Sequence, residues 1–186
     1  DVAIRVISHA DRDHAGGMAE LAGQFATQRA IGHAGIPCRV GEVLYNTSFI
    51  TVTVLNGPGD NNDGSCVLKV MTAQVTVLLA GDISAARERE LIRYWRTKLR
   101  ADILVLAHHG SHTSTAASFL KWVDPNIAVV SAGRVNRFSH PRPSVLRRLE
   151  ARGVRILNTA KHGSVTVTAT PHAMTVGGLR DGNIPY

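Results

Sequence analysis

The sequence predicts a mixed α/β domain in which strands and helices pack in layers. Short apolar runs of strand length alternate with helical segments along most of the chain, which is the pattern of a layered α/β fold. The 186 residues fit one domain, and 44% of them are hydrophobic, enough to bury a core. Charged residues make up only 19% of the chain, so wholesale disorder is excluded. We therefore expect a single domain over residues 1–186.

Strands are expected where β-branched and aliphatic residues cluster, and helices where helix formers follow a start signal. Gly16-Gly17 precedes the first helix, and Ser84 is a suitable N-cap for the second. In chain order, the expected strands are Val2–Ile7, Ile50–Leu55, Val67–Val70, Val75–Ala80, Ile103–Ala107, Ile127–Ser131, Val154–Leu157 and Val165–Thr170, of which the last two close the chain. The expected helices are Met18–Phe25, Ser84–Leu99, Ala116–Val123 and Ser144–Arg152.

Charge, apolar run length and cysteine usage bound the function classes. Lys and Arg number 21 against 14 Asp and Glu, and the resulting net charge of +7 favours an anionic partner without naming one. Every apolar run is far shorter than a membrane-spanning helix requires. Cys38 and Cys66 match no metal-binding spacing and are either two buried thiols or one disulfide. Because the chain begins at Asp1 without an initiator Met or signal peptide, we expect it to be a piece of a longer protein.

The strongest motif follows the first expected strand. His9, Asp11 and Asp13 alternate in sequence, so in an extended chain their side chains point the same way, and a turn would bring in His14. Four candidate metal ligands therefore crowd one strand end, a pattern that chance rarely produces. The alternative is a solvated Asp/His loop that caps the next helix.

Three further polar clusters also follow apolar strands. Asp82 ends Leu79-Ala80-Gly81-Asp82 and is either a helix N-cap or a carboxylate that bridges two cations. His108 and His109 follow the next strand, and neutral imidazole is the commonest nitrogen ligand of transition metals. His140 follows a third strand, although alone it would be read as a turn residue. Layered α/β folds assemble their sites at such strand exits, so we expect the clusters to meet.

Together these clusters resemble the metallo-β-lactamase superfamily and, within it, the C-terminal domain of the ComEC family of DNA-uptake competence proteins. The motifs that carry the resemblance are His9-Ala10-Asp11-Arg12-Asp13-His14-Ala15-Gly16-Gly17, Leu79-Ala80-Gly81-Asp82, Ala107-His108-His109-Gly110-Ser111 and the segment Val129–Pro141 with Ser139-His140-Pro141. The resemblance implies a four-layered αββα sandwich with a dinuclear metal centre at the edge of its two sheets. Here the sandwich would lack its usual first strands, because the chain starts at the strand before the first motif.

The resemblance also implies the ligand sets. One ion would bind Asp13, His14, Asp82 and either His108 or His109, and the other would bind His9, share Asp82 and have Asp11 as a further candidate ligand. Many relatives supply another histidine before the Gly-Asp motif, where this chain has Asn61, Asn62 or Ser65. The second site is thus richer in oxygen ligands, which shifts its preference from Zn²⁺ toward Mn²⁺. We expect two divalent ions, Mn²⁺ or Zn²⁺, and no small organic cofactor.

Such a centre suits the hydrolysis of phosphodiester bonds. Two cations can ionise water and stabilise the attacking and leaving oxygens of a displacement at phosphorus. His140 would protonate the leaving oxygen or steady the phosphoryl group, and Ser111 and Asn136 would donate hydrogen bonds to its other oxygens. Asp11 would be either a metal ligand or the base that accepts a proton from the attacking water.

The substrate implied by the resemblance is DNA, with degradation of the nontransforming strand during uptake. Arg134, Arg137 and Arg142 flank His140 and are the candidate nucleic-acid-binding residues. The partners would be DNA and the remaining segments of a parent channel protein in the inner membrane, with this domain on the extracytoplasmic face. The alternatives are hydrolysis of a small phosphodiester, such as a phosphocholine ester, and a non-catalytic DNA-binding module with a degenerate metal site.

Overall fold

The computed structural model describes residues 2–170 and 174–180, together with the backbone of residues 182–185. The strands are β1 (Val2–Ile7), β2 (Thr27–Gly32), β3 (Val43–Asn46), β4 (Thr51–Asn56), β5 (Val67–Met71), β6 (Thr76–Leu79), β7 (Ile103–Val105), β8 (Ile127–Val130), β9 (Arg155–Asn158), β10 (Val165–Ala169), β11 (Met174–Gly178) and β12 (Gly182–Pro185). The helices are α1 (Arg12–Ala15), α2 (Met18–Gln24), α3 (Ala85–Trp95), α4 (Ala117–Val123), α5 (Pro143–Glu150) and α6 (Thr159–His162). Three 3-10 turns cover Asn62–Gly64, Arg96–Leu99 and Ala107–Gly110.

A seven-stranded sheet forms the centre of the fold, with strands β3 to β9 in chain order. Strands β3 to β6 are antiparallel, and β6 to β9 are parallel. The carboxyl ends of the four parallel strands therefore lie along one edge, and the loops after β6, β7 and β8 meet there. The amino end of β5 reaches the same edge because β5 runs against β6.

The two faces of this sheet bury different partners, as the alternation of side chains along a strand requires. On β7, Leu104 packs in the cluster that also contains Leu91 of α3, Phe119 of α4 and Leu149 of α5. Its neighbour Ile103 points to the opposite face.

That opposite face is covered by two smaller sheets, each with its own apolar cluster. Parallel strands β1 and β2 pack over β4 and β5 through Ile4, Ile31 and Val54. Antiparallel strands β10 to β12 lie over β7 to β9, where Val176 meets Val129. The second layer of the sandwich is thus made of two separate sheets.

The expected strands and helices correspond to observed ones within a few residues, with three kinds of difference. Strands β2, β3, β11 and β12 and helix α6 were not expected. Because β11 and β12 come later in the chain, Val154–Leu157 and Val165–Thr170 do not close it as predicted. The first motif is not extended throughout, because α1 begins at Arg12. The expected helix Ser84–Leu99 is α3 followed by a 3-10 turn. None of the helices in the described ranges combines the length and apolar character that a membrane span requires.

Cys38 and Cys66 form a disulfide, which was one of the two open alternatives. It joins the loop after β2 to the residue before β5, and both half-cystines are buried. Cys66 also donates its backbone N–H to the carbonyl of Ser8 at 2.9 Å. This hydrogen bond holds the start of β5 beside the end of β1, and the disulfide ties the same residue to the loop after β2.

Glu88 is a fully buried carboxylate on α3 that holds the loop after the His108-His109 motif. Its oxygens accept the backbone N–H groups of Thr115 and Ala116, which lie directly before α4. Arg148 of α5 donates to the carbonyls of Ser114 and Thr115. Burial raises the pKa of Glu88, against the opposing effect of the two backbone hydrogen bonds. The three helices are thus joined through one buried polar cluster.

We predict that Glu88→Ala lowers the free energy of unfolding by about 2 to 4 kcal/mol, because two buried N–H groups lose their acceptor and a cavity is left. Urea denaturation measures the change. The matched control is Glu90→Ala, since Glu90 lies on the same helix with its side chain 56% exposed, and a change within about 0.5 kcal/mol is expected there. Equal losses of stability in the two variants would contradict a stabilising role for the Glu88 hydrogen bonds.

Candidate metal centre

Five chain segments meet at the carboxyl edge of the parallel strands. The end of β1 supplies His9, and the α1 segment supplies Asp13 and His14. The loops after β6 and β7 supply Asp82 and His109, and the loop after β8 brings His140 to the same place. The fold therefore brings together the four clusters at the strand exits.

Asp82 is at the middle of the cluster, with only 5% of its side chain exposed. Its Oδ1 lies 3.2 Å from Nε2 of His14. Its Oδ2 lies 3.5 Å from Nε2 of His109, 3.9 Å from Nε2 of His9 and 4.0 Å from Nε2 of His108. Four imidazole nitrogens thus face one buried carboxylate.

His109, and not His108, contacts the residues of the first motif. Nε2 of His109 is 3.1 Å from Oδ2 of Asp13 and 3.2 Å from Nε2 of His14. His108 instead lies edge-on to His140, with ring centroids 5.8 Å apart. Of the two histidines, His109 has the geometry expected of the ligand.

Two serines contact the imidazoles of His9 and His14. Oγ of Ser8 is 3.0 Å from Nδ1 of His9 and 3.0 Å from Nδ1 of His14. Oγ of Ser65 is 3.3 Å from Nδ1 of His9 and accepts the backbone N–H of Asp82 at 3.1 Å. These contacts leave the Nε2 atoms to face Asp82, which is how outer hydrogen bonds orient metal-binding imidazoles.

The loops that carry Asp82 and the two histidines adopt a left-handed backbone. Gly81 has φ of 58°, and a Cβ there would lie 2.6 Å from Cβ of Ser65. His108 and His109 have φ of 50° and 52°, a region that residues with a Cβ seldom occupy. Backbone strain of this kind clusters at functional sites. The strained conformation directs both imidazoles toward the sheet edge.

The charges of the cluster shift several pKa values. Burial and then the neighbouring His14 lower the pKa of His9. The hydrogen bond to Asp82 raises the pKa of His14. Burial opposes ionisation of Asp82, but the hydrogen bond from His14 and the charges of the surrounding histidines leave its pKa below the usual value. Burial, followed by His108, lowers the pKa of His140.

The donor atoms form two groups that suit divalent metal ions. His9, His14 and Asp82 have ligand atoms within 4.8 Å of one another, and so do Asp13, His14 and His109. Nε2 of His9 is buried and has no hydrogen-bond partner among the described residues. A fully buried nitrogen without a partner is costly, and a cation at this position would supply that partner. Imidazole and carboxylate are ligands that both Zn²⁺ and Mn²⁺ accept.

Of the four predicted catalytic residues, two line the cavity above the cluster and two do not. Asp11 lines the cavity above the cluster, with its Oδ2 3.5 Å from Nε2 of His9, and His140 lines the same cavity. Ser111 is 4% exposed and contacts Thr113 within its own loop. Asn136 uses its amide to hold the 133–140 loop, because Nδ2 donates to the carbonyls of Gly133 and His140 while Oδ1 accepts the N–H of His140. The hydrogen-bonding groups of Ser111 and Asn136 are thus used within their own loops, and the donor roles expected of them stay predictions.

The three predicted DNA-binding arginines lie near His140, but only Arg137 lines the cavity. Arg134 is exposed in the same loop. Arg142 is half-buried and donates its backbone N–H to the carbonyl of Gly110. Sequence reasoning missed Arg12, which lines the cavity on the side of the first motif.

Two cavities open at the cluster and share a wall. The metal-site cavity has a volume of about 570 Å³ and is bounded by ligand candidates, Arg12, Arg137, Phe138 and His140. The side cavity has a volume of about 470 Å³ and lies between Phe138 and the chain that follows β8. Asp13, His109, Phe138 and His140 border both.

Comparisons with known proteins give relatives in sequence and in fold. The chain is 32% identical over 169 residues to competence protein ComA of Neisseria gonorrhoeae, a match that covers 86% of this chain and 24% of that protein. It is 32% identical over 177 residues to recombination protein 2 of Haemophilus influenzae, covering 87% of this chain and 22% of that one. The chain thus spans less than a quarter of the length of these two relatives. No protein-family model matches it.

The fold resembles that of YhfI from Bacillus subtilis, which is a metallo-β-lactamase fold protein. The TM-score is 0.53 at 18% identity, and the match covers 84% of this chain and 73% of YhfI. At this identity the likeness establishes the fold alone.

We predict that Ser8→Ala weakens the binding of Mn²⁺ or Zn²⁺ by about 10- to 100-fold, because two imidazoles lose the hydroxyl that orients them. Competition with a metallochromic chelator measures the affinity. Ser48→Ala is the control, since Ser48 is exposed in the turn between β3 and β4. Unchanged affinity in Ser8→Ala would show that the hydroxyl does not orient the ligands.

Proposed function

The chain is a metallo-β-lactamase-fold domain related to part of the ComEC-type competence proteins, and on that premise we propose that it is a metal-dependent phosphodiesterase that hydrolyses DNA. The observation that carries the proposal is the convergence of Asp13, His14, Asp82 and His109 beneath an open cavity flanked by Arg12 and Arg137. Acidic and imidazole ligands below a cationic rim suit a substrate with an anionic scissile group.

The ligands would divide between two divalent ions, Mn²⁺ or Zn²⁺. One ion would be held by Asp13, His14 and His109, and the other by His9, with Asp82 shared and Asp11 as a further candidate ligand of the second ion. When bound, the ions supply Lewis acidity toward a phosphoryl oxygen and lower the pKa of water.

Substrate binding and proton transfer would be carried out by side chains around the cavity. Arg12 and Arg137 would bind the nonbridging oxygens of phosphates on either side of the scissile bond. His140 would donate a hydrogen bond or a proton to the phosphoryl or leaving oxygen, and His108 lies beside it. Asp11 has a half-exposed carboxylate, so it could also accept the proton of the attacking water. Asn136 would hold His140 in place.

DNA is favoured as the substrate by charge and by the relatives. The net charge is +7, and a backbone of phosphates is bound by such charge without regard to sequence. Part of this charge is structural, however, because Arg100 and Arg152 pair with Asp124 and Arg148 holds the loop before α4. The cationic residues that line the cavity itself are Arg12 and Arg137. The relatives are proteins of competence and recombination by name.

The remaining segments of a larger membrane channel protein are the second proposed partner. The relatives are more than four times longer than the segment they share with this chain, which supports a role as one domain among several. The Cys38–Cys66 disulfide favours an oxidising compartment. We therefore propose that the domain works on the extracytoplasmic face of the inner membrane, where it would degrade the nontransforming strand.

The two alternatives make different demands on the site. A small phosphodiester fits a cavity of about 570 Å³. It is the second candidate substrate because a small ester would need no binding surface outside this cavity. A non-catalytic DNA-binding module is less well supported, since it gives no reason for the unpartnered Nε2 of buried His9.

We predict that the chain digests linear DNA when Mn²⁺ is added, and that Asp13→Ala and Asp82→Ala each lower the rate at least about 100-fold, since several kcal/mol of transition-state stabilisation depend on the bound ions. Gel electrophoresis of the products measures the rate. Glu20→Ala is the control, because Glu20 is an exposed carboxylate on α2. Activity that survives in both aspartate variants would refute the assignment. Hydrolysis of bis-p-nitrophenyl phosphate without DNA binding at low salt would favour the small ester.

We predict that Arg137→Ala weakens DNA binding and reduces the slope of log Kd against log salt by about 0.7 to 1, the value expected for one lost phosphate contact. Fluorescence anisotropy over a salt series measures both quantities. Arg39→Ala is the matched control, because Arg39 is exposed on the loop of the disulfide. The same change of slope in both variants would mean that Arg137 contributes only to the overall charge.

A further inference from the structure

The side cavity shares lining residues with the metal-site cavity and differs from it in chemistry. Its inner end is formed by Asp13 and His109. Its outer walls are uncharged and are formed by Ser131, Ala132, Gly133, Asn136 and Thr159. No Lys or Arg lines it among the described residues. A phosphate would find no counter-charge there, so the cavity suits an uncharged part of the substrate.

The polar groups of the outer walls are mostly satisfied within the protein. Oγ1 of Thr159 donates to the carbonyl of Ala132 and accepts its N–H, each at 2.9 Å. The carbonyl of Ser131 accepts Nδ1–H of His109 at 2.9 Å. The side-chain amide of Asn136 is used within its own loop. These walls would therefore bind a ligand mainly through van der Waals contact, because few of their hydrogen-bonding groups are free.

Phe138 borders both cavities. Its ring is 53% exposed, which is unusual for a large aromatic side chain that has no apolar cluster to join. It stacks on His140 with the rings inclined by 18° and their centroids 5.7 Å apart. The guanidinium of Arg137 lies over the ring, 4.8 Å from its centroid, so a base would stack there in place of the guanidinium as Arg137 turns to a phosphate. An exposed, supported ring beside a phosphate-binding arginine is the arrangement that stacks a nucleobase.

We propose that the side cavity binds an unpaired nucleobase with its sugar, stacked against Phe138, while the adjoining phosphate lies at the metal-site cavity. This inference rests on the proposed function and assigns single-stranded DNA as its substrate class. A paired base inside a duplex has both faces covered by its neighbours, so only an unstacked base can lie against the ring. Arg137 would bind the phosphate that adjoins the stacked base.

The first test measures binding and needs no hydrolysis. A fluorescent oligothymidylate and an abasic oligonucleotide of equal length and charge are titrated with the protein at low salt in EDTA. We expect the wild type to bind the oligothymidylate about 5- to 100-fold more tightly, the contribution of one stacked base. Phe138→Ala should bind both probes equally, and Phe138→Trp should restore the preference. Val135→Ala is the matched control, because Val135 is 98% exposed in the same loop.

The second test separates stacking from an indirect effect on His140. The p-nitrophenyl ester of thymidine 5′-phosphate and methyl p-nitrophenyl phosphate share a leaving group, but only the first carries a nucleoside. In Phe138→Ala we expect kcat/KM to fall about 5- to 100-fold more for the nucleoside ester than for the methyl ester. Equal losses for the two esters, or a wild type without preference for bases in the binding test, would overturn the inference. If neither ester were hydrolysed, the proposed function would fail while the binding test still decided the nucleobase site.

Discussion

The buried carboxylate of Asp82 is the constraint on which the rest of the site depends. A carboxylate with 5% of its side chain exposed is stable only where opposite charge and hydrogen bonds replace its water. His14, His109 and His9 supply nitrogens from three separate segments, and the hydroxyl of Ser65 accepts the Asp82 backbone N–H. The surroundings of the Asp82 carboxylate therefore form only where the ends of β1, β6 and β7 come together. The same crowding that lowers the pKa of Asp82 leaves Nε2 of the buried His9 without a hydrogen-bond partner among the described residues, and a cation at this position would supply that partner.

The positions of the clusters could be predicted from sequence because they follow from strand order. Asp82, His109 and His140 follow β6, β7 and β8, which are parallel neighbours that end at the same edge, so their meeting needed only local pattern and one topological rule. His9 follows β1 of a separate sheet, and that rule does not place it. The strands that escaped prediction lack such a pattern. Thr27–Gly32 reads as polar and small and is a strand because it pairs with β1. Val43–Asn46 is the outermost strand of its sheet, with three of its four residues exposed. Tertiary pairing, which a single sequence does not display, decided both.

Within the site, residue type predicted donors but not how their hydrogen bonds are used. Ser111 and Asn136 carry the groups that a phosphoryl oxygen would accept from, yet both are occupied in their own loops. Ser8 was overlooked for the converse reason. In an extended strand its side chain points away from that of His9, and it reaches both His9 and His14 because α1 turns the chain immediately afterwards. The short helix α1, which the alternating motif did not predict, is thus what converts a linear pattern into a ligand cluster.

The two cavities are also connected through the backbone that orients His109. The carbonyl of Ser131 accepts Nδ1–H of His109, and Ser131 is itself a wall of the side cavity. His109 already has a left-handed backbone with φ of 52°, so its imidazole is held by the contacts around it more than by its own conformational preference. Any group that fills the side cavity therefore contacts the segment that directs Nε2 of His109 toward Asp13 and His14. The orientation of the His109 imidazole thus depends on one short stretch of chain after β8, and the same stretch lines the side cavity.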